Sequence, residues 1–310
     1  MHELLTLIGP GLQLTSPLLF ASLGGLLSYR AGIFNIALEG FMLVAAFAAV
    51  DVAAISHSVW IGVVGAMLAA GLLAGVMGVL VLSFRADEVI VGLALDTFAL
   101  GLTSYLLRAT TTSGYLNLPR GLPVVQAPLL AHVPVLGEMI NGQNPLVFLS
   151  WILVAVVAWT LRNTLFGLRV RAVGESQLVA QAAGTPVLMT RMATFLLSGV
   201  LCGLGGAVLS LGSVHLFSMN MTSGSGFIAF AAVIFGNGVP VYVAAASLIF
   251  GFSQGFATLM EMNPAFSPQF VLMLPYLLAI AALFYANRRR RRRRRAVPPE
   301  PAPQAAEPAP

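Results

Sequence analysis

The chain has 310 residues, of which 58% are hydrophobic and 9% charged, and its formal net charge is +5. Soluble globular domains carry roughly 25% charged residues, so this composition excludes a water-soluble fold. The single cysteine, Cys202, excludes an intrachain disulfide and a cysteine-rich metal site.

Long apolar runs follow one another along most of the chain. Runs of about 18 residues or more can cross a hydrocarbon core about 30 Å thick as helices. The predicted spans are about 4–28, 33–54, 59–83, 88–108, 145–161, 187–212, 239–259 and 268–286. A ninth apolar segment, about 223–237, is short and bounded by glycines, so it either crosses or re-enters the membrane. The sequence therefore predicts an all-α fold, a polytopic transmembrane helical bundle of about 8–9 spans.

The arginines between the spans predict the orientation, because short basic loops stay on the cytoplasmic side of a membrane. If the segment 223–237 crosses, most of them fall on one side: Arg30, Arg85, Arg162, Arg169, Arg171, Arg191 and the run from Arg288 to Arg295. Only Arg108 and Arg120 fall on the other side. We therefore expect a multi-pass protein of the inner or plasma membrane, with its N-terminus outside and its C-terminus in the cytoplasm.

Two of the spans carry acidic residues, which are costly at membrane depth and therefore suggest a function. Asn35 and Glu39 are four residues apart, so they share one helix face early in the second span. They either line a substrate pathway or lock this helix to its neighbours. Asp96 lies inside the fourth span and is a third candidate for the pathway. Asp87 and Glu88 precede it, where we expect them to cap the helix N-terminus.

The longest cytoplasmic loop, about 162–190, is predicted to contain a short helix. The segment from Glu175 to Ala183 is helical in composition, follows Gly174, and stops at Gly184 and Pro186.

A change in composition near residue 287 divides the chain into two predicted domains. Residues 1–287 are predicted to form one transmembrane domain, and residues 288–310 a disordered cytoplasmic tail. The tail is eight arginines followed by a Pro/Ala-rich stretch. Because the arginines directly follow a span, we expect them to bind anionic membrane lipid and not nucleic acid.

The residues of an enzyme are missing. The four histidines are far apart in the sequence, and no two of them share a helix face at the spacing of a metal site. The chain contains no lysine, so it has no phosphate-binding loop that ends in Gly-Lys-Ser/Thr. We expect no enzymatic activity, no cofactor and no metal. If ATP drives transport, a separate polypeptide hydrolyses it. An ion-coupled carrier that needs no ATPase is the alternative, with Glu39 and Asp96 as its ion sites.

The segment Gly32–Gly40, Gly-Ile-Phe-Asn-Ile-Ala-Leu-Glu-Gly, closely resembles the signature of permease subunits of ABC importers for nucleosides and simple sugars. Ribose and branched-chain amino-acid permeases are more distant relatives of that group. Further segments resemble the same family in the expected order: Ala86–Gly92, Arg171–Glu175, Leu197–Gly199, Gly203–Ala207, Gly226–Ala229 and Ala232–Gly236.

The resemblance implies a transporter with two permease subunits, a pair of cytoplasmic ATPase subunits and an extracytoplasmic solute-binding protein. Its solute would be a nucleoside or, second, a simple sugar. The cytoplasmic helix would be a coupling helix that docks on the ATPase, which the resemblance places at Gly174, Glu175, Ala180, Ala183 and Gly184. The chain departs from the family at Leu178–Gln181, where relatives carry Glu-Ala-Ala-Arg, and at Asp96, where relatives commonly have Asn.

Overall fold

The computed structural model describes residues 8–125 and 142–261, which form a helical bundle with one two-stranded sheet. The helices are α1 (Ile8–Arg30), α2 (Leu38–Ser56), α3 (Val59–Leu82), α4 (Glu88–Thr110), α5 (Pro145–Asn163), α6 (Leu165–Glu175), α7 (Gln177–Ala182), α8 (Val187–Ala207), α9 (Ser225–Phe235) and α10 (Pro240–Glu261). A π-helix, Val208–Val214, continues α8, and the strands are β1 (Tyr115–Asn117) and β2 (Leu216–Ser218).

Seven helices in this part of the chain are long and apolar enough to cross a membrane. This confirms the predicted all-α polytopic bundle. The predicted span at 268–286 and the tail at 288–310 lie outside the described residues.

Helix α1 lies at the centre of the bundle, although it is the least apolar of the seven spans. In the most apolar stretch of α1, 89% of the residues are buried, whereas 28% are buried in the corresponding stretch of α4. Small polar residues make this burial possible. The hydroxyl of Thr15 donates to the carbonyl of Gly11, and Ser22 and Ser247 share a hydrogen bond of 2.8 Å between α1 and α10. Small residues allow membrane helices to approach closely, so α1 packs on several neighbours at once.

The sheet marks one end of the bundle, which we call the β end. Strand β1 follows α4 and pairs antiparallel with β2, which follows the π-helix, with Tyr115 opposite Ser218. The π-helix has one extra residue per hydrogen-bonded turn, a feature frequent at functional sites.

The opposite end, which we call the arginine end, holds the end of α1 and the helices α6 and α7. There the Arg30 side chain donates to the carbonyl of Gly238, and Gly32 lies against Gly174. The Arg191 guanidinium lies 3.7 Å from the Glu88 carboxylate. The chain therefore passes from the β end to the arginine end between Leu216 and Gly238, and α9 forms only the second part of that passage.

Two predicted helix starts can be compared with the structure. The Asp87 carboxylate accepts hydrogen bonds from the backbone N–H groups of Val89 and Ile90, at 2.9 and 3.1 Å, so the predicted cap of α4 is confirmed. The second span was expected to begin near residue 33, but α2 begins at Leu38. Residues 33–36 form neither helix nor strand, and Ala37 lies in a turn. A tertiary contact of Asn35, described below, holds this stretch.

Candidate functional site

Helices α2 and α9 both begin inside the bundle. The stretch before α2, residues 33–37, reaches Ser198, which is eleven residues, or about 16 Å, beyond the first residue of α8. Helix α9 has 11 residues, so its first turn lies about 16 Å from Gly238 at the arginine end. Against a hydrocarbon core of about 30 Å, both helices begin roughly halfway across.

A helix that begins at this depth has a problem with its backbone. The first N–H groups of a helix have no partner within the helix, and there is no water in the hydrocarbon to accept their hydrogen bonds. The residues before the two helices are Ala37 and Gly224, and neither supplies a side-chain cap. Acceptors must therefore come from other parts of the chain.

Glu39 supplies them for α9. Its Oε1 accepts hydrogen bonds from the Thr222 hydroxyl at 2.5 Å and from the Gly224 N–H at 2.9 Å. Its Oε2 accepts one from the Gly226 N–H at 2.6 Å. The residue is only 7% exposed. A carboxylate is favoured at this position because the first turn of a helix carries partial positive charge, so Glu39 is a buried charge with three donors around it.

Asp96 supplies an acceptor for the start of α2. Its Oδ1 accepts a hydrogen bond of 2.7 Å from the N–H of Gly40, in the first turn of that helix. The other oxygen, Oδ2, is buried and has no hydrogen-bond partner among the described residues. Asp96 as a whole is half-buried. Its carboxylate therefore keeps unused hydrogen-bonding capacity, unlike that of Glu39.

Asn35 anchors the non-helical stretch that precedes α2. Its side-chain amide donates to the Ser198 hydroxyl at 3.0 Å, which ties residues 33–37 to α8. Asn35 is 1% exposed, and its Oδ1 has no partner in the part of the chain described here. Burial of this kind is typical of a residue that positions the backbone.

Glycines allow the helices to meet so closely. A Cβ atom at Gly226 would overlap the backbone of Glu39, and one at Gly40 would lie 2.8 Å from Oδ1 of Asp96. At Gly226 the overlap is with backbone, so glycine is required there for Glu39 to reach the start of α9. At Gly40 a side chain would displace the Asp96 carboxylate from the start of α2.

The structure thus brings the three predicted pathway residues, Asn35, Glu39 and Asp96, to one region around the first turn of α2. All three hold helices together, and their role in a pathway stays a prediction. Sequence reasoning missed Thr222 and the backbone donors of Gly224 and Gly226. The glycines that bound the short segment 223–237 were the available signal. Within residues 8–125 and 142–261, no three metal-ligating side chains come together.

The predicted coupling region differs in detail from the expectation. Residues 175–183 are not one helix, because α6 ends at Glu175 and α7 runs from Gln177 to Ala182. Ser176 between them is extended, and its hydroxyl accepts from the N–H of Val179 at 3.4 Å. Gly184 ends the segment with a φ of +77°, a backbone conformation that favours glycine.

The five residues predicted to contact an ATPase are placed differently. Ala180 is 3% exposed and faces the bundle, and Gly174 packs on the backbone of Arg30. Glu175, Ala183 and Gly184 are exposed at the arginine end. Two apolar residues of α7 are also largely exposed: Leu178 is 81% and Val179 is 68% exposed.

A groove of about 960 Å³ lies beneath α7 at the arginine end. Both charged and polar side chains line it, among them Arg85, Asp87, Glu88, Gln181 and Arg191. The Glu88 and Arg191 pair joins the start of α4 to the start of α8 across this groove.

Comparisons with known proteins agree with this architecture. The family model described as "Branched-chain amino acid transport system / permease component" matches residues 7–283. The chain is 35% identical over 279 residues to the nucleoside ABC transporter permease protein NupC of Lactococcus lactis subsp. cremoris, covering 87% of this chain and 88% of the relative. It is 33% identical over 295 residues to the guanosine ABC transporter permease protein NupQ of Bacillus subtilis, covering 91% and 92%. It is 31% identical over 300 residues to the putative glucose ABC transporter permease protein TsgC13 of Haloferax volcanii, covering 90% and 91%. No solved structure shows significant similarity to the chain.

Proposed function

We propose, from the premise that this chain belongs to the permease-component family of branched-chain amino acid transport systems, that it carries nucleosides inward as the membrane subunit of an ABC importer. Family membership makes the chain a multi-pass permease subunit of an ABC transporter. The nucleoside as solute and the inward direction are our proposal.

The observation that carries the choice of solute is the similarity to two nucleoside permeases along nearly the whole chain. The relatives named for nucleoside and guanosine transport are 35% and 33% identical and cover about nine-tenths of both chains. A simple sugar is the second candidate, because a putative glucose permease is 31% identical over a similar length. A nucleoside and a sugar share hydroxyl groups, which suit the polar centre of this bundle.

The uptake of labelled solute tests this choice. Cells that lack their own nucleoside transporters would express the chain together with the genes that flank it, and uptake of labelled guanosine, adenosine and glucose would be measured. We expect guanosine and adenosine uptake that requires this chain and that an excess of unlabelled nucleoside suppresses. Uptake of glucose without any nucleoside uptake would overturn the nucleoside proposal.

The proposed partners are two ATPase subunits, a second permease subunit and an extracytoplasmic solute-binding protein. The absence of lysine from the sequence supports a separate ATPase, because the phosphate-binding loop of such enzymes needs one. In the proposed orientation the arginine end faces the cytoplasm and the β end faces outward, where the binding protein delivers the solute.

The proposed ATPase contact is the segment from Gly174 to Gly184, and its apolar residues support this role. Leu178 and Val179 are exposed to water at the arginine end, where a partner protein that covers them would gain hydrophobic free energy. Replacing both with Asp (Leu178→Asp, Val179→Asp) is expected to abolish co-purification of the ATPase. Because surface changes alter stability by only about ±0.5 kcal/mol, the amount of permease in the membrane should not change.

The matched control places one Asp at Ser113, which is exposed near the β end, and should keep the ATPase bound. Full ATPase recovery with the double variant would contradict the coupling assignment. If no ATPase co-purifies with the unchanged chain, the proposal that the chain is part of an ABC importer is contradicted.

A further inference from the structure

A second groove, of about 740 Å³, lies between α3 and α8 at membrane depth. Only apolar residues line it, and on α3 they extend from Met67 to Leu80. Gly71 and Gly75 lie along its length and have no side chains to fill it. Because a helix rises 1.5 Å per residue, the groove is about 20 Å long.

This apolar groove meets the charged groove beneath α7. On α3, Leu80 lines the apolar groove and Val81, the next residue, lines the charged one. On α8, Met192 lines the apolar groove and Arg191 lines the charged one. The two grooves therefore form one cavity along the same two helices, which we call the α3–α8 cleft. The cleft is apolar over most of its length and charged at the arginine end.

The charged end of the cleft carries two basic and two acidic side chains, those of Arg85, Arg191, Asp87 and Glu88. The guanidinium of Arg191 lies 3.7 Å from the Glu88 carboxylate, which is too far for a hydrogen bond between them. The Nε of Arg191 is buried and has no hydrogen-bond partner among the described residues. Arg85 is exposed. This end can therefore donate hydrogen bonds to an anion and accept them from a cation, while its own charges cancel.

The depth of the cleft matches one leaflet of a membrane. Its charged end lies where α3 ends at Leu82, α4 begins at Glu88 and α8 begins at Val187, so it is level with lipid headgroups. From there the apolar part extends about 20 Å inward, whereas one leaflet contributes about half of a hydrocarbon core of about 30 Å. A transmembrane helix would need a groove across the whole core. The shape therefore fits an acyl chain that enters from the arginine end.

We propose that the α3–α8 cleft binds one phospholipid with an ethanolamine headgroup. Its acyl chain lies along α3, its phosphate accepts hydrogen bonds from Arg85 and Arg191, and its ammonium group donates to Glu88. Guanidinium groups bind phosphate through paired hydrogen bonds. The equal number of acidic and basic side chains favours a zwitterionic headgroup over an anionic one. The inference requires only that the chain spans a membrane, so it does not depend on which solute is carried.

Native mass spectrometry tests the choice of headgroup. The full chain, purified in mild detergent with any subunits that remain bound, would be titrated with phosphatidylethanolamine, phosphatidylcholine and phosphatidylglycerol of identical acyl chains. We expect phosphatidylethanolamine to bind at least about tenfold more tightly than phosphatidylcholine, because the choline group has no N–H to donate and one hydrogen bond to a charged group is lost. Equal binding of the three lipids, or tighter binding of phosphatidylglycerol, would overturn the proposal.

Four variants locate the lipid in the cleft. Arg85→Gln and Gly75→Leu should each weaken phosphatidylethanolamine binding about tenfold, the first by removing a charged donor and the second by filling the apolar groove. Arg162→Gln, at an exposed arginine of the same end, and Gly101→Leu, where a Cβ atom meets nothing within 4 Å, are the matched controls and should bind as the unchanged chain does. Unchanged binding by Arg85→Gln and Gly75→Leu would place the lipid elsewhere and overturn the site.

Glu88→Gln separates the two parts of the headgroup. This variant should bind phosphatidylethanolamine more weakly and phosphatidylcholine no more weakly than the unchanged chain, since only the acceptor for the ammonium group is removed. An equal loss for both lipids would contradict the role of Glu88.

A photocrosslinking amino acid at Leu72, which lines the apolar groove, tests for a different occupant. In membranes that contain phosphatidylethanolamine we expect adducts with that lipid. Adducts with protein alone, whether with the apolar segment 268–286 of this chain or with another subunit, would show that a polypeptide fills the groove and would overturn the lipid site.

Discussion

Glu39 and Asp96 each accept hydrogen bonds from the first turn of a helix that begins inside the bundle, but their surroundings differ. Glu39 has three donors on its two oxygens and is 7% exposed. Asp96 has one donor, leaves Oδ2 without a partner in the described residues, and is half-buried. A buried charge whose hydrogen bonds are complete stabilises one structure. A carboxyl group with a single donor makes fewer of the bonds that hold the helices, so its loss should cost less stability.

Removing the Glu39 carboxylate should have the largest effect. Glu39→Ala leaves two backbone N–H groups and a hydroxyl without an acceptor at membrane depth, and breaking a buried charged interaction from one side costs about 3–5 kcal/mol. We expect little folded protein after mild detergent extraction, measured by size-exclusion chromatography of a fluorescent fusion. Glu175→Ala, at an exposed position, is the control and should behave as the unchanged chain. Normal folding of Glu39→Ala would show that the carboxylate is not what holds α9 in place.

Enlarging Gly226 tests the same contact from its other side. A side chain at this position would overlap the backbone of Glu39, so Gly226→Val should push α9 away and cost about 1–3 kcal/mol, as overpacking does. The thermal midpoint of the purified protein should fall. Gly101→Ala is the matched control, since a Cβ atom there meets nothing within 4 Å, and its midpoint should not fall, because alanine favours a helix more than glycine does. A midpoint equal for both variants would contradict the close packing of α2 and α9.

The sequence predicts the long spans well because each must bury about the same apolar length in lipid. It does not predict where α2 begins, because residues 33–37 are apolar apart from Asn35, and the Asn35 contact that holds them is made with Ser198 on a distant helix. It identifies Glu39 as costly but not as the cap of α9, since Thr222 lies 183 residues away along the chain. The break at Ser176 was missed because the residues around it favour helix on both sides. Contacts between distant segments decide all of these points.

Removing one of the three donors to Glu39 should reduce the stability of the protein by an intermediate amount. Thr222→Val keeps the volume but loses the hydroxyl that donates to Oε1 at 2.5 Å. Hydrogen bonds to charged groups contribute about 1.5–3 kcal/mol, and the two backbone donors remain, so we expect a loss near the lower end of this range. Thr103→Val is the control, because that buried hydroxyl donates only within its own helix. If both variants lose equal stability, the hydroxyl of Thr222 does not support the carboxylate.

Replacing Asp96 should cause the smallest change in stability. Its effect on transport should be much larger than its effect on stability. In Asp96→Asn the side-chain carbonyl can still accept the hydrogen bond from Gly40, so the thermal midpoint should change by an amount equivalent to less than about 1 kcal/mol. The amide nitrogen, however, would replace an acceptor with a donor at the position of Oδ2. If Asp96 belongs to the pathway, as the sequence predicts, the initial rate of guanosine uptake should change while the amount of assembled transporter does not. Thr15→Ser, which keeps the hydroxyl but removes a buried methyl group on α1, serves as the control for both measurements. Loss of stability equal to that of Glu39→Ala, or an uptake rate identical to that of the unchanged chain, would remove the distinction between the two carboxylates, and Asp96 would then be a structural cap like Glu39.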